Sequence, residues 1–133
     1  MDASAVLDLL ERHGIQASAQ RVAVAAWVLD SCEHPSADQV FAAVRDTLPT
    51  LSRATVYNTL NLFVDKGLLR QLLIAEGRVV FDPKLQPHHH FVDDDTGAIT
   101  DVPWEAVAVE QTTTLPGLTI REMQVVLRGK RER

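Results

Sequence analysis

Three adjacent histidines, His88, His89 and His90, are the residues of this sequence with the clearest capacity for chemistry. Neutral imidazoles are good ligands for divalent transition metals, and a nearby carboxylate balances the charge of the cation. If the segment is a β-strand, His88 and His90 point to one face and His89 points to the other. The sequence therefore predicts a chelating His-x-His pair on one side of a strand.

Further candidate ligands flank this histidine run. Asp82 precedes it, Asp101 follows it, and a fourth histidine, His34, stands beside Pro35. A histidine run is also common on a plain polar loop, so the run by itself favours neither interpretation. The metal interpretation gains support because five potential ligands cluster around a predicted hinge at residues 83–87. These ligands are His34, Asp82, His88, His90 and Asp101.

Composition narrows the classes of protein that this chain can be. It has 133 residues, of which 46% are hydrophobic, and a net charge of −5, with a single cysteine, Cys32. One cysteine excludes an internal disulfide and a cysteine cage for zinc. No apolar run approaches the ~18 residues of a membrane span, and the acidic second residue disfavours a secretory signal, so we expect a cytoplasmic protein with no membrane partner. A negative chain can bind DNA only through a local basic patch.

The first 82 residues show the pattern of a helical domain that ends in a hairpin. Apolar spacing and capping residues predict four helices, over residues 3–13, from Ser18 to about Cys32, after Ser36, and from Ser52 to Gly67. Residues 68–75 and 78–82 then predict two strands joined by a Glu76-Gly77 turn. This order is typical of a winged helix-turn-helix, whose recognition helix enters the major groove of DNA.

The polar face of the fourth predicted helix is the candidate DNA-reading surface. Such a face is most often simply solvated, but the capped helix before it and the hairpin after it favour DNA binding. Tyr57 is predicted to contact a thymine methyl, and Asn58 or Asn61 an adenine edge. Arginines are candidates for phosphate contact. The predicted DNA-binding residues are Arg21, Ser52, Arg53, Thr55, Tyr57, Asn58 and Asn61.

Residues 83–133 predict a second, smaller module. Strands are expected over residues 88–92 and 98–102, a short helix over Trp104–Gln111, and a long strand over Leu118–Leu127. About 50 residues bury too little apolar surface to be stable alone, so we expect this module to pair with a copy of itself. The predicted fold class is α+β, with a winged helix-turn-helix DNA-binding domain at 1–82 and a small α/β dimerisation domain at 83–133.

The ordered segments HPSADQVFAAVR, LSRATVYNTLNLFVDKGLLRQL, RVVFD, HHHFV and TGAITDV resemble the ferric uptake regulator family over nearly the whole chain. The resemblance implies a homodimeric winged-helix repressor that binds a palindromic, AT-rich operator, with a regulatory metal near the hinge. The ligand set that it implies suits Fe(II) or Mn(II), at one site per subunit. That set is His34, Asp82, His88, His90 and Asp101.

The two aspartates of this set, where relatives often carry glutamate, resemble the peroxide-sensing branch of the family. The resemblance implies that peroxide oxidises His34 or His88 in the Fe(II) form, after which the metal and the operator are released. Asp93 and Thr96 stand where many relatives have the first cysteine pair of a structural zinc site. The resemblance therefore implies that this chain has no structural four-cysteine zinc site.

Several alternatives stay open at this stage. The missing cysteines and the histidine run also resemble the iron response regulator branch, in which haem or iron status is the signal, although no Cys-Pro haem motif is present. A manganese or iron uptake regulator is a further alternative. Three histidines and a carboxylate also suit a non-haem metalloenzyme, but no general acid or substrate pocket can be named, so an enzyme is not predicted. A winged-helix module with vestigial ligands is the last alternative.

Overall fold

A computed structural model describes residues 1–31, 33–108, 110 and 115–132. The chain divides into two compact units, residues Met1–Leu85 and Gln86–Arg133, which are described separately below. Within the described ranges, no helix is both long enough and apolar enough to cross a membrane.

Unit 1 contains the four predicted helices and the predicted hairpin. The helices are α1 (Ala3–Arg12), α2 (Ala19–Val28), α3 (Ala37–Val44) and α4 (Arg53–Asp65), and the strands are β1 (Arg70–Ala75) and β2 (Arg78–Asp82). Each helix starts at a residue whose side chain accepts a backbone N–H three positions on: Asp2, Ser18, Ser36 and Ser52. These caps satisfy N–H groups that the first turn leaves without a partner. Helix α2 is shorter than predicted, and the predicted end at Cys32 lies outside the described residues.

The four helices share one hydrophobic core. Leu10, Val24, Val40, Leu60 and Phe63 are fully buried there. Burying a side chain the size of Phe63 stabilises a fold by about 1.5–3 kcal/mol. Because α4 directs its apolar side into this core, its opposite side faces solvent.

The hairpin is tied to the segment that precedes α3. Strands β1 and β2 are antiparallel, with Arg70 opposite Asp82. The Phe81 N–H donates to the Pro35 carbonyl at 2.9 Å. This bond fixes the end of β2 beside the residue before Pro35, which is His34.

Unit 2 is built on a three-stranded sheet. Its strands are β3 (His88–Asp93), β4 (Ile99–Pro103) and β5 (Val126–Gly129), in the order β4-β3-β5. Strand β4 runs antiparallel to β3, and β5 runs parallel to it. The predictions of β3 and β4 are thus confirmed.

Two predictions for unit 2 are wrong. In place of a helix over Trp104–Gln111 there is a single 3₁₀ turn, Trp104–Ala106, after which Val107 is extended; Val107 is β-branched, a type with reduced helix propensity. Residues 109 and 111 lie outside the described part. In place of a strand over Leu118–Leu127, residues 118–125 are irregular and β5 begins at Val126, where pairing with β3 starts at His90.

Candidate metal centre and DNA interface

Two histidines and a carboxylate converge on one face of the sheet in unit 2. His88 and His90 are both buried on β3, and their rings lie 4.5 Å apart. Asp101 is the direct cross-strand partner of His90 on β4. Its Oδ1 lies 3.4 Å from Nε2 of His88 and 3.8 Å from Nε2 of His90. All three residues belong to a group of His and Asp side chains able to hold a metal ion.

These separations fit ligands around one ion. Metal–donor distances of about 2.1 Å place adjacent ligands about 3 Å apart and opposite ones about 4 Å apart. The Nδ1 of His88 lies 2.6 Å from the Gln86 carbonyl oxygen, which can only accept a hydrogen bond. Nδ1 therefore carries a proton, and in a neutral ring Nε2 is the nitrogen that has the lone pair. The imidazole of His88 is thus held in the tautomer that a metal ligand needs.

A second pair of donors lies in unit 1. The Nε2 of His34 is 3.3 Å from Oδ2 of Asp82, and both side chains are buried. The other carboxylate oxygen of Asp82 accepts the Lys84 N–H at 2.9 Å, which fixes the orientation of the carboxylate. His34 has a φ of 52°, the only positive value among the described non-glycine residues. Such left-handed geometry costs about 1–2 kcal/mol and is often found at functional sites.

His89 is separated from these donors by the alternation of the strand. Its ring stacks on Trp104 at 4.5 Å, and its Nδ1 accepts the Val125 N–H at 3.2 Å. A neutral ring that accepts at Nδ1 carries its proton on Nε2, which leaves no lone pair for a metal. Nε2 is buried and has no hydrogen-bond partner within the described part of the chain. His89 therefore has a structural role in unit 2.

Asp93 and Thr96 shape the turn between β3 and β4. Oδ1 of Asp93 accepts the backbone N–H groups of Asp95 at 2.8 Å and of Thr96 at 3.3 Å. The Thr96 hydroxyl accepts the Ala98 N–H at 3.1 Å. The two side chains thus stabilise the turn by ordinary hydrogen bonds.

In unit 1, the predicted DNA-binding residues are concentrated on α4. Tyr57, Asn58 and Asn61 are exposed on this helix, as the sequence predicts for a reading face. Ser52 and Thr55 serve the start of the helix, since the Ser52 hydroxyl accepts the Thr55 N–H at 3.1 Å and lies 2.9 Å from the Thr55 hydroxyl.

A groove of about 450 Å³ lies between the start of α2 and α4. It brings Arg21 together with Thr55 and Asn58, and the Arg21 guanidinium donates to the Gln16 carbonyl at 2.7 Å. Its full lining is Gln16, Ala17, Ser18, Gln20, Arg21, Thr55, Asn58, Thr59 and Leu62. The sequence interpretation missed Gln20, although the spacing from the Ser18 cap places it in the first turn of α2.

Arg53 lies outside that groove lining and is held by α3. Its Nη1 is 2.5 Å from Oδ1 of Asp38, and its Cζ lies 4.8 Å from the centre of the Phe41 ring. No local pattern reveals these contacts, because Asp38 is 15 residues away in the sequence.

The match to known proteins places the chain in a family. A model of the ferric uptake regulator family matches residues 12–128. The chain belongs to the ferric uptake regulator family. It is 33% identical over 95 residues to the peroxide operon regulator of Bacillus subtilis (strain 168), a stretch that covers 71% of this chain and 66% of that protein.

Two solved structures extend the similarity. A structure of the peroxide sensor PerR from Streptococcus pyogenes is 26% identical, with a TM-score of 0.55, covering 96% of this chain and 89% of that one. A zinc-bound manganese uptake regulator is 20% identical, with a TM-score of 0.71 and coverage of 96% and 98%, which shows the fold alone.

These matches confirm the predicted α+β class. They carry the names of regulators and not of enzymes, which agrees with the prediction that this chain is not an enzyme. The matched stretch spans just under two thirds of the length of the Bacillus relative.

Proposed function

We propose that this chain is a metal-dependent DNA-binding repressor with one Fe(II) or Mn(II) site per subunit. The observation that carries the proposal is the pair of half-sites: His34 with Asp82, and His88 with His90 and Asp101. Each half-site spaces its donors as ligands of one ion are spaced. The first belongs to the DNA-binding unit and the second to the other unit.

The two half-sites are close to each other along the chain. Only residues 83–87 separate Asp82 from His88, a connection that spans at most about 20 Å when fully extended. By binding one ion together, the five ligands would favour one arrangement of the two units over all others. That restriction would set the spacing of the two α4 helices in a dimer, on which binding to two DNA half-sites depends.

The proposed DNA interface is the exposed side of α4 with the neighbouring groove. Asn58 and Asn61 offer the amide groups that read adenine edges, and Tyr57 offers an aromatic surface to thymine methyls. Arg21 and Arg53 would contact phosphates, with Ser52 and Thr55 beside them at the start of the helix. These preferences support a palindromic, AT-rich operator.

The proposed homodimer is supported by apolar side chains in unit 2. Leu118, Ile120 and Met123 are 66%, 55% and 40% exposed, on a unit with a small sheet and little core of its own. Apolar surface of this kind marks a protein interface. A second copy of the same unit would cover it in a symmetric dimer.

Peroxide is the proposed signal, because the Bacillus subtilis and Streptococcus pyogenes relatives are named for it. Bound Fe(II) would catalyse electron transfer from a ligand imidazole to hydrogen peroxide, so that the imidazole is the net two-electron reductant. Oxidation of His34 or His88 would add one oxygen atom to an imidazole carbon, while peroxide is reduced to water. The modified ring would be a poorer ligand, so the two half-sites would separate and the operator would be released.

A mobility-shift experiment tests the regulator. Operator duplexes are first selected from a randomised DNA library with the Mn(II)-loaded protein. The selected duplexes are then tested for protein binding with and without Mn(II). We expect a shift that requires the metal and that is lost in His90→Ala but kept in His13→Ala, which removes a histidine outside both half-sites. DNA binding of equal strength with and without Mn(II) would overturn the proposal of a metal-dependent repressor.

Peptide mass spectrometry tests the signal. Protein loaded with Fe(II) or with Mn(II) is treated with hydrogen peroxide and digested. We expect a mass gain of one oxygen atom on His34 or His88 in the Fe(II) sample only. Unmodified histidines together with intact metal-dependent DNA binding would favour iron, manganese or haem as the signal instead.

A further inference from the structure

Arg53, the first residue of the proposed recognition helix α4, contacts two residues of α3. Asp38 binds its Nη1 at 2.5 Å, and Phe41 stacks against its guanidinium carbon at 4.8 Å. Asp38 and Phe41 are three positions apart, so both lie on the same side of α3. One binds an amino nitrogen of the guanidinium and the ring of the other lies under its carbon, which restricts its position.

A second arginine shares the same ring. The Cζ of Arg45 lies 5.3 Å from the centre of the Phe41 ring. Phe41 therefore sits beside two cations, and Asp38 contributes a negative charge in direct contact with one of them. The ion pair is exposed, with 63% of each side chain open to solvent, so a phosphate can approach the guanidinium while Asp38 holds it.

We propose that Asp38 is a positioning residue for DNA binding, which makes the contact of Arg53 selective for the correct operator. This inference rests on the proposed DNA-binding function. A guanidinium has five N–H donors in a rigid fork, and Asp38 engages only one amino nitrogen. Held in this way, Arg53 loses little conformational entropy when a ligand meets it in the held orientation.

The same carboxylate disfavours indiscriminate binding. On a random duplex, a mobile arginine can reach any phosphate, and its charge contributes to sequence-independent affinity. Asp38 neutralises that charge and restricts the reach of the side chain. Removing the carboxylate should therefore weaken binding to the operator, tighten binding to random DNA, and lower the ratio of the two affinities.

The variant that tests this is Asp38→Asn in the full chain loaded with Mn(II). Affinity is measured for a duplex that the wild-type protein selects from a randomised library and for a scrambled duplex of equal composition. We expect the ratio of the two affinities to fall by roughly three- to tenfold, the range that fits loss of one positioned contact. The dependence of scrambled-duplex binding on salt should become steeper, because one more cation is available to phosphates.

Two further variants distinguish a positioning role of Asp38 from a simple effect of its charge. Asp46→Asn removes the same charge from an exposed site two residues beyond the end of α3, and it should change both affinities by the same factor. Arg53→Lys keeps the cation but loses the fork, so it should lower the ratio as Asp38→Asn does. Adding Asp38→Asn to Arg53→Lys should then cause no further fall in the ratio.

The outcomes distinguish this inference from the function on which it rests. If the wild-type protein selects no duplex, both are overturned. If it discriminates well and Asp38→Asn discriminates equally well, the positioning role alone is overturned. Urea unfolding of each variant checks that the fold is intact, and an equal change on both duplexes in Asp38→Asn would also overturn the positioning role.

Discussion

His90 and Asp101 face each other directly across β3 and β4, so one carboxylate oxygen lies within 3.8 Å of two imidazole nitrogens. This relationship depends on the register of the sheet. A slip of one residue would turn every side chain of a strand to the opposite face and replace His90 by its neighbours. The sheet thus fixes three of the five proposed ligands before any metal binds.

The first prediction concerns these ligands. Asp101→Asn should weaken Mn(II) binding by about 10- to 100-fold, since an amide oxygen is a poorer ligand than a carboxylate and carries no charge. Asp95→Asn is the matched control, because Asp95 makes an exposed ion pair with Lys130 away from the histidines. Competition with a fluorescent chelator measures both affinities. Equal affinities for the two variants would remove Asp101 from the ligand set.

The left-handed backbone at His34 leads to the second prediction. His34→Gly and His34→Ala both remove the imidazole, but only glycine adopts a φ of 52° without strain. In the presence of a chelator, the glycine variant should therefore unfold with a free energy about 1 kcal/mol higher than that of the alanine variant.

A substitution in α3 provides the control for that comparison. Ala42 is exposed within the helix, where glycine should be less stable than alanine by about 1 kcal/mol. The order of glycine and alanine should thus reverse between positions 34 and 42 in urea unfolding. The same order at both positions would show that residue 34 is not left-handed in the metal-free protein.

His89 provides the third prediction. His89→Ala removes the stacking on Trp104 and the acceptor of the Val125 N–H, which should destabilise unit 2 by about 2–4 kcal/mol. Unfolding can be followed by Trp104 fluorescence in a Trp27→Phe background, which removes the tryptophan of unit 1. Mn(II) affinity of the folded protein should stay within about threefold of the wild type, since the ring has no lone pair for a metal. A much larger loss of affinity would make His89 a ligand.

The sequence was sufficient to predict those features of the structure that depend on neighbouring residues. The caps at Ser18, Ser36 and Ser52 and the opposite faces of His89 and the His88–His90 pair on β3 are set by neighbouring residues, and both were predicted correctly. Contacts set by tertiary packing were not predictable. The stacking of His89 on Trp104 requires that β3 and the segment after β4 come together, and no spacing in the sequence encodes it.

Strand β5 is a second element whose extent depends on tertiary packing and not on local sequence. Residues 118–127 have the apolar content of a strand, but a strand needs a partner, and pairing with β3 begins only at Val126. The apolar residues before it, such as Leu118 and Ile120, are exposed in the chain as described. We propose that their hydrophobicity serves the dimer interface, and composition does not distinguish an interface segment from a strand.

The turn between β3 and β4 supplies the fourth prediction, which concerns the oxygen of Asp93. This buried side chain accepts two backbone N–H groups, so Asp93→Ala should destabilise unit 2 by about 1–2 kcal/mol. Asp93→Asn keeps an acceptor oxygen and should lose less than about 0.5 kcal/mol, because the turn needs the acceptor and not the charge.

The neighbouring aspartate controls for charge and position in this experiment. Asp94 is exposed, and among the described residues only its backbone is bonded, its N–H to the Gly129 carbonyl at 2.8 Å. Asp94→Ala should therefore leave the stability nearly unchanged. Urea unfolding followed by Trp104 fluorescence gives the three values. Because the turn joins the strands that carry His90 and Asp101, Asp93→Ala should also weaken Mn(II) binding, whereas Asp93→Asn should not. Equal losses of stability in the alanine and asparagine variants would mean that the charge of Asp93, and not its acceptor oxygen, stabilises the turn.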